Sequence, residues 1–182
     1  MSDITAIERR FVHWSDRDLP SIRAGLAEAV VAELAEESGD DARWYGGGTA
    51  ALDVTNVEDG KLVRRNAKSV RREKYRGVVH VALARRNAQP FDAEKLDRVV
   101  LVLLAEASSG FDVDLERGIA SVEGHASLDR VWDVSVPELN DLMPDHDPET
   151  EGNIRNVLFT FEQLAPYQVW PRDRAARAAT AE

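Results

Sequence analysis

The chain contains no cysteine, which excludes disulfides, thiolate nucleophiles and cysteine-ligated zinc together. Long apolar runs are also missing. The longest, 99–105, falls far short of the ~20 residues that a membrane span requires. The opening Met1-Ser2-Asp3-Ile4 lacks a basic n-region and an apolar h-region and so reads as no signal peptide. No internal repeat is visible, and low complexity is confined to the Ala/Arg-rich end. Lysine is scarce: four of the 23 basic residues are Lys and the rest Arg. What remains suffices for a core. With 182 residues, 43% of them hydrophobic, one domain buries roughly 70% of its unfolded surface without a staple.

Charge is the most uneven property. The net charge is −10, yet Lys61, Arg64, Arg65, Lys68, Arg71, Arg72, Lys74 and Arg76 stand against the single acid Glu73. Segment 61–76 is therefore +7 and the rest of the chain −17. Most of the surface repels nucleic acid.

Hydrophobic spacing sets the expected elements. Ile4, Ile7, Phe11 and Trp14 recur at three and four, a short helical stripe. Pro20 suits the first turn of a helix over 21–37, with Ile22, Leu26, Ala29, Val30 and Leu34 on one face and Gly39 at its end. A strand is expected over 52–57, followed by a Glu58-Asp59-Gly60 turn and a return at Lys61-Leu62-Val63. Tyr75, Val79, Val81 and Leu83 alternate as a further strand. Asp92 then offers an N-cap, with Phe91 stapling to Leu96, for a helix whose body over 96–107 is apolar nearly all round. Strands over 117–123, 130–136 and 153–164 complete the chain, the last two separated by an acidic loop over 138–152. The order α-α-β-β-β-α-β-β-β implies an α+β fold: a mainly antiparallel sheet with helices packed on one face, plus an extended hairpin arm. The expected organisation is an N-terminal arm or short helix over 1–19, an α+β domain over 20–170 carrying the basic arm at about 58–76, and a tail over 171–182.

Candidate chemistry is thin. Gly46-Gly47-Gly48-Thr49 has no following Lys and leads into a strand, so it reads as a flexible turn rather than a phosphate loop. Asp141, Asp145, His146, Asp147, Glu149 and Glu151 lie in one loop that could offer oxygen ligands, but the EF-hand spacing is absent and a solvated loop is favoured. His13, His80, His125 and His146 show no metal-ligand spacing. There is no Gly-x-Ser-x-Gly elbow, and pairs such as Asp112 and Asp114 arise by chance among 33 acids. The expectation is no catalysis, no metal and no cofactor.

The basic segment is read as an arm for self-association. Eight cations would hold phosphate in a salt-sensitive way, but only Tyr75 among them could stack on a base. Against the surrounding −17, head-to-tail pairing with an acidic copy is favoured over specific nucleic-acid binding. A nucleic-acid-binding regulator using Arg64, Arg65, Arg71 and Arg72 is the alternative, with a chaperone-like client-binding domain third.

The helix over 21–37, the strand-rich middle ending at 75–84, the helix after Pro90-Phe91-Asp92 and the closing Ile154-Arg155-Asn156-Val157-Leu158-Phe159-Thr160-Phe161-Glu162 together resemble the tail terminator, tail-completion and neck proteins of long-tailed phages. That resemblance implies a virion structural protein assembled in the host cytoplasm. It would be a homo-oligomeric, perhaps hexameric, ring subunit between a tail tube protein and head-connector or adaptor proteins, away from membranes.

Overall fold

The computed structural model describes residues 10–13, 20–45, 52–72, 78–83, 91–114, 117, 119–143 and 155–171. The Gly46–Gly48 turn, the acidic loop beyond Met143, His146 and the tail after Pro171 lie outside these residues. Among them the α+β class with a mainly antiparallel sheet is observed. The strands are β1 (Arg10–His13), β2 (Asp40–Trp44), β3 (Val54–Glu58), β4 (Lys61–Arg72), β5 (Val78–Leu83), β6 (Arg98–Asp114), β7 (Ile119–Ser135), β8 (Arg155–Thr160) and β9 (Gln168–Trp170). The helices are α1 (Pro20–Ser38), α2 (Val136–Leu142) and α3 (Phe161–Leu164).

The main path of the sheet runs β2-β3-β4-β6-β7-β9, with β1 alongside β6 and β5 bridging β4 to β8. The turn expected at Asp59-Gly60 joins β3 to β4. Both residues have positive φ, 49° and 75°, the pairing that a tight hairpin with the right twist demands. Its register places Val54 opposite Arg65 and Glu58 opposite Lys61. The basic segment therefore runs inside the sheet, with β3 along its first half and β6 parallel to it from Arg65 to Val70.

Several expected elements differ. The helix expected to begin at Asp92 is a single turn, with Lys95 N and Leu96 N donating to Asp92 O. The chain from Arg98 onward is β6, flanked by β4 and β7. The reason is physical: Val99, Leu101 and Leu103 feed one core cluster while Val100, Val102 and Leu104 feed another. A strand buried on both faces reads as a continuous apolar run and loses its alternation. The helical spacing over 3–14 is, in its described part, the strand β1, antiparallel to β6. The two strands expected over 117–136 are one, β7. The loop expected from Glu138 begins as α2, capped by Ser135 with Pro137 in its first turn. The closing strand stops at Thr160, whose hydroxyl accepts from Gln163 N while the Gln163 side chain accepts from Thr160 N. That reciprocal capping box opens α3.

Two cores result. Ala27, Val31 and Ala35 of α1 cover Val54, Val100, Val102 and Val131. On the odd-numbered side of β6, Leu101, Leu103, Trp132 and Val134 meet the β5–β8 ladder through Val79, Val81, Val157 and Phe159, and Leu139 and Leu164 of α2 and α3 close it. Gly39, after α1, is a close approach: a Cβ there would stand 2.3 Å from Val57 O and 2.8 Å from Asn56 Nδ2. No described helix is long and apolar enough to cross a membrane.

Candidate active site

At the end of the β3–β4 hairpin away from its turn, Asp53 is buried beside buried Asn66. Hydrogen bonds from Asn66 Nδ2 (2.8 Å) and Ala67 N (2.7 Å) both fall on Asp53 Oδ2. Burial pushes the Asp53 carboxyl up from its ordinary value. The Ala67 amide pulls it down, the charge of Glu28 adds to the rise and the charge of Lys68 opposes it. Asn66 and Lys68 share a side of β4, because alternate strand residues point the same way.

Two aromatic residues flank this end. Trp44 Nε1 donates to Glu28 Oε2 at 3.0 Å. Tyr45 N donates to Asp53 O at 2.9 Å, and Tyr45 Oη lies 3.3 Å from Thr55 Oγ1. Both rings are nonetheless open to solvent, 53% and 44% exposed.

A second polar cluster occupies the α1 side. Arg65, 4% exposed, donates to Asn56 Oδ1 and to Glu58 Oε1 and lies 3.6 Å from Asp133 Oδ2, which Arg98 also approaches at 3.5 Å. Asn56 Nδ2 donates to Ala35 O at 2.9 Å, tying the cluster to α1. Burial pushes the Asp133 carboxyl up and outweighs the attraction of Arg98 and Arg65. For Glu58 burial also pushes upward, but the bonds from Arg65, Asn56 and Ser38 hold the carboxyl below its ordinary value.

The segment read as a self-association surface is spent differently from one residue to the next. Lys61 is exposed beside the turn. Arg64 clasps Asp97 through its backbone N (2.8 Å), Nε (2.9 Å) and Nη2 (3.0 Å). Arg65 is interior, and Lys68 is half-buried on β4. Arg71 stands opposite His80 in the β4–β5 ladder. Arg72 lies 3.8 Å from Asp129 and 5.1 Å above the Phe161 ring. Lys74 and Arg76 lie outside the described residues. The described residues of the basic segment, Lys61–Arg72, are dispersed along one strand, β4. His13, His80 and His125 fall on β1, β5 and β7 respectively. Among the described residues no three His, Cys, Asp or Glu side chains converge as metal ligands.

Sequence reasoning missed Asp53, Glu28, Trp44 and Tyr45. One signal was available: extending the hairpin register back from Asp59-Gly60 places Asp53 opposite Asn66, with Lys68 two residues further on.

No family model matches the chain, and no curated protein does. A bacterial homing endonuclease of known structure, I-Ssp6803I, is similar over 90% of this chain and 98% of its own, at 13% identity and a TM-score of 0.39. These findings correct the tail-terminator resemblance, and with it the expectations of a virion tail or neck subunit and of a protein without catalysis. No tail protein is among the matches, and the structural match is to an enzyme. The element order behind the resemblance also fails, since the helix placed after Pro90-Phe91-Asp92 is the start of β6.

Proposed function

We propose that the Asp53 end of the β3–β4 hairpin is the active site of a divalent-cation-dependent phosphodiester hydrolase. A buried carboxylate, Asp53, oriented through Oδ2 by Asn66 Nδ2 and the Ala67 amide, carries the reading; burial pushes it up, and the charges of Glu28 and Lys68 act on it in opposite senses. Asp53 supplies a hard oxygen donor of the kind that suits Mg²⁺, which is held by one or two carboxylates and completes its shell with waters and substrate phosphate. The bonds from Asn66 and Ala67 occupy Oδ2 and orient the carboxylate, leaving Oδ1 outside that pair of bonds. A cation there would polarise the phosphoryl group and lower the pKa of a bound water. Lys68 contributes a point charge suited to the phosphate oxygens. In the reaction water oxygen bonds to phosphorus, the bond from phosphorus to one ester oxygen breaks, and that oxygen leaves as an alcohol carrying the proton.

Isothermal titration with Mn²⁺ and Mg²⁺, together with hydrolysis of bis(p-nitrophenyl) phosphate, tests it. Wild-type protein is expected to bind one cation and to hydrolyse the diester. Asp53→Asn is expected to lose both by at least tenfold with an unchanged circular dichroism spectrum, and Lys68→Met to keep the cation but lose turnover. Absence of cation binding in the wild type, or an Asp53→Asn protein as active as wild type, overturns the assignment and leaves Asp53 as a clamp on β4.

A further inference from the structure

Resting on the reading of the Asp53 site, we propose that Asn66 is a positioning residue that biases its cation selectivity toward Mg²⁺ and against Ca²⁺. An ionised carboxylate offers about four acceptor positions, two on each oxygen. On Asp53 both bonds fall on the same oxygen, Oδ2: Asn66 Nδ2 at 2.8 Å and Ala67 N at 2.7 Å. Oδ2 is thereby filled, and a cation approaching this carboxylate is left Oδ1. The arrangement commits Asp53 to holding a cation through one oxygen.

The surrounding backbone makes that commitment rigid. Asp53 N donates to Arg65 O at 3.0 Å, so the hairpin pairing continues past Val54 to Asp53 itself. Ala67 lies opposite Val100 where β4 runs parallel to β6, which fixes the amide that donates to Oδ2. Asp53 and Asn66 are 8% and 4% exposed, and the bond between them is shielded from water. The Asn66 side chain must present its NH2 to the carboxylate, because its own carbonyl oxygen there would only repel. Ala67 N belongs to the main chain, so Asn66 is the side chain that decides whether Oδ2 stays filled.

Cation chemistry gives the consequence. Ca²⁺ takes roughly six to eight oxygens in flexible geometry and accepts both oxygens of one carboxylate. Mg²⁺ demands a near-octahedral shell and keeps several of its waters. A carboxylate restricted to Oδ1 suits the smaller ion and denies Ca²⁺ the two-oxygen grip. Partners that orient a ligating group commonly govern metal affinity by about 10–100-fold.

The test is isothermal titration of Mg²⁺ and of Ca²⁺ into the full chain and into Asn66→Ala. Infrared difference spectra of the carboxylate stretches, with and without cation, accompany it, and Asp53→Asn supplies the blank for carboxylates elsewhere. The affinity for Ca²⁺ relative to Mg²⁺ is expected to rise about tenfold in Asn66→Ala. In the wild type, loading with Mg²⁺ is expected to widen the splitting between the asymmetric and symmetric stretches, the signature of coordination through one oxygen. In Asn66→Ala loaded with Ca²⁺ the splitting narrows, the signature of two. An unchanged ratio, loss of both cations in equal proportion, or a narrowed splitting in the wild type overturns the inference. The wild-type spectrum decides the point even where Asn66→Ala fails to fold by circular dichroism. A wild type that binds Mg²⁺ and hydrolyses bis(p-nitrophenyl) phosphate, with a ratio that ignores Asn66, sinks the selectivity role alone. A wild type that does neither removes the active site, and this role with it.

Discussion

Replacing Arg65 by Met tests whether the cluster on the α1 side is held by its one interior cation. Arg65 is 4% exposed and is shared among Asn56, Glu58 and Asp133. Methionine matches much of its length but leaves Glu58 and Asp133 facing each other without it. Removing one partner of a buried ionic group costs about 3–5 kcal/mol, because the remaining charge stays desolvated. Against a total stability of about 5–15 kcal/mol this is a large fraction, and for a chain of this size it corresponds to a fall of roughly 6–20 °C in Tm. The deficit should depend on pH. Asp133 already has a raised carboxyl, and losing Arg65 raises it further, so the folded variant binds protons more tightly than its unfolded chain. The variant's stability therefore rises as pH falls through that raised value. Its deficit is largest at neutral pH and narrows toward the carboxylate range. Urea unfolding followed by circular dichroism, at pH 7.5 and pH 5, measures both effects provided the m-value holds. Adding Asp133→Asn removes one stranded charge, and the double variant should recover at least about 0.5 kcal/mol relative to additivity. A single-variant loss below about 1 kcal/mol, or a deficit that widens toward acid, refutes the reasoning.

Three further outcomes follow from local geometry. Asp97→Asn should cost about 1–2 kcal/mol at pH 7, a figure reduced for the partial exposure of the Arg64 pair. The Arg64 bonds hold the Asp97 carboxyl below its ordinary value, so that stability is present above the ordinary carboxylate range and lost as pH falls through the lowered one; denaturant midpoints of variant and wild type should converge as pH falls below the ordinary carboxylate range. Gly39→Ala should lower stability by about 1–3 kcal/mol in a thermal melt, because the new methyl meets the fixed Val57 carbonyl oxygen at 2.3 Å. Thr160→Ala, which removes the acceptor of the capping box at α3, should cost about 1 kcal/mol by the same measurement, and Thr160→Ser should restore most of it.

What the chain disclosed of this fold followed from how local each signal is. The Asp59-Gly60 turn, the extent of α1, and the alternation of Val79 and Val81 depend on neighbours a few residues away, and each is found where its spacing placed it. The face of α1 is turned by one residue from the expected stripe, with Ala27, Val31 and Ala35 fully buried, Leu26, Val30 and Leu34 half-buried and Ala29 exposed. The 96–107 stretch misled because its strand is covered on both faces, by α1 on one and by α2, α3 and the β5–β8 ladder on the other. Apolar residues at every position carry no period. The basic segment misled differently: as a string of charges it reads as surface, whereas pairing on both edges turns Arg65 inward and leaves Lys61 outside. The candidate site was hidden in plain composition, since Asp53 is one of 33 acids and only the hairpin register sets it beside Asn66 and the Ala67 amide.

The ladder between β6 and β7 has a kinetic meaning. Its innermost pair, Asp114 and Ile119, is five residues apart along the chain, whereas the parallel pairing of Arg65 with Arg98 joins residues 33 apart. Closing the shorter loop costs less chain entropy, so the β6–β7 hairpin can zip from its turn before β4 docks. The seam between β4 and β6 is then the late step of folding. Core substitutions at Val131 or Leu101 should slow the folding rate, while those confined to the β4 side, such as Val70→Ala, should chiefly speed unfolding.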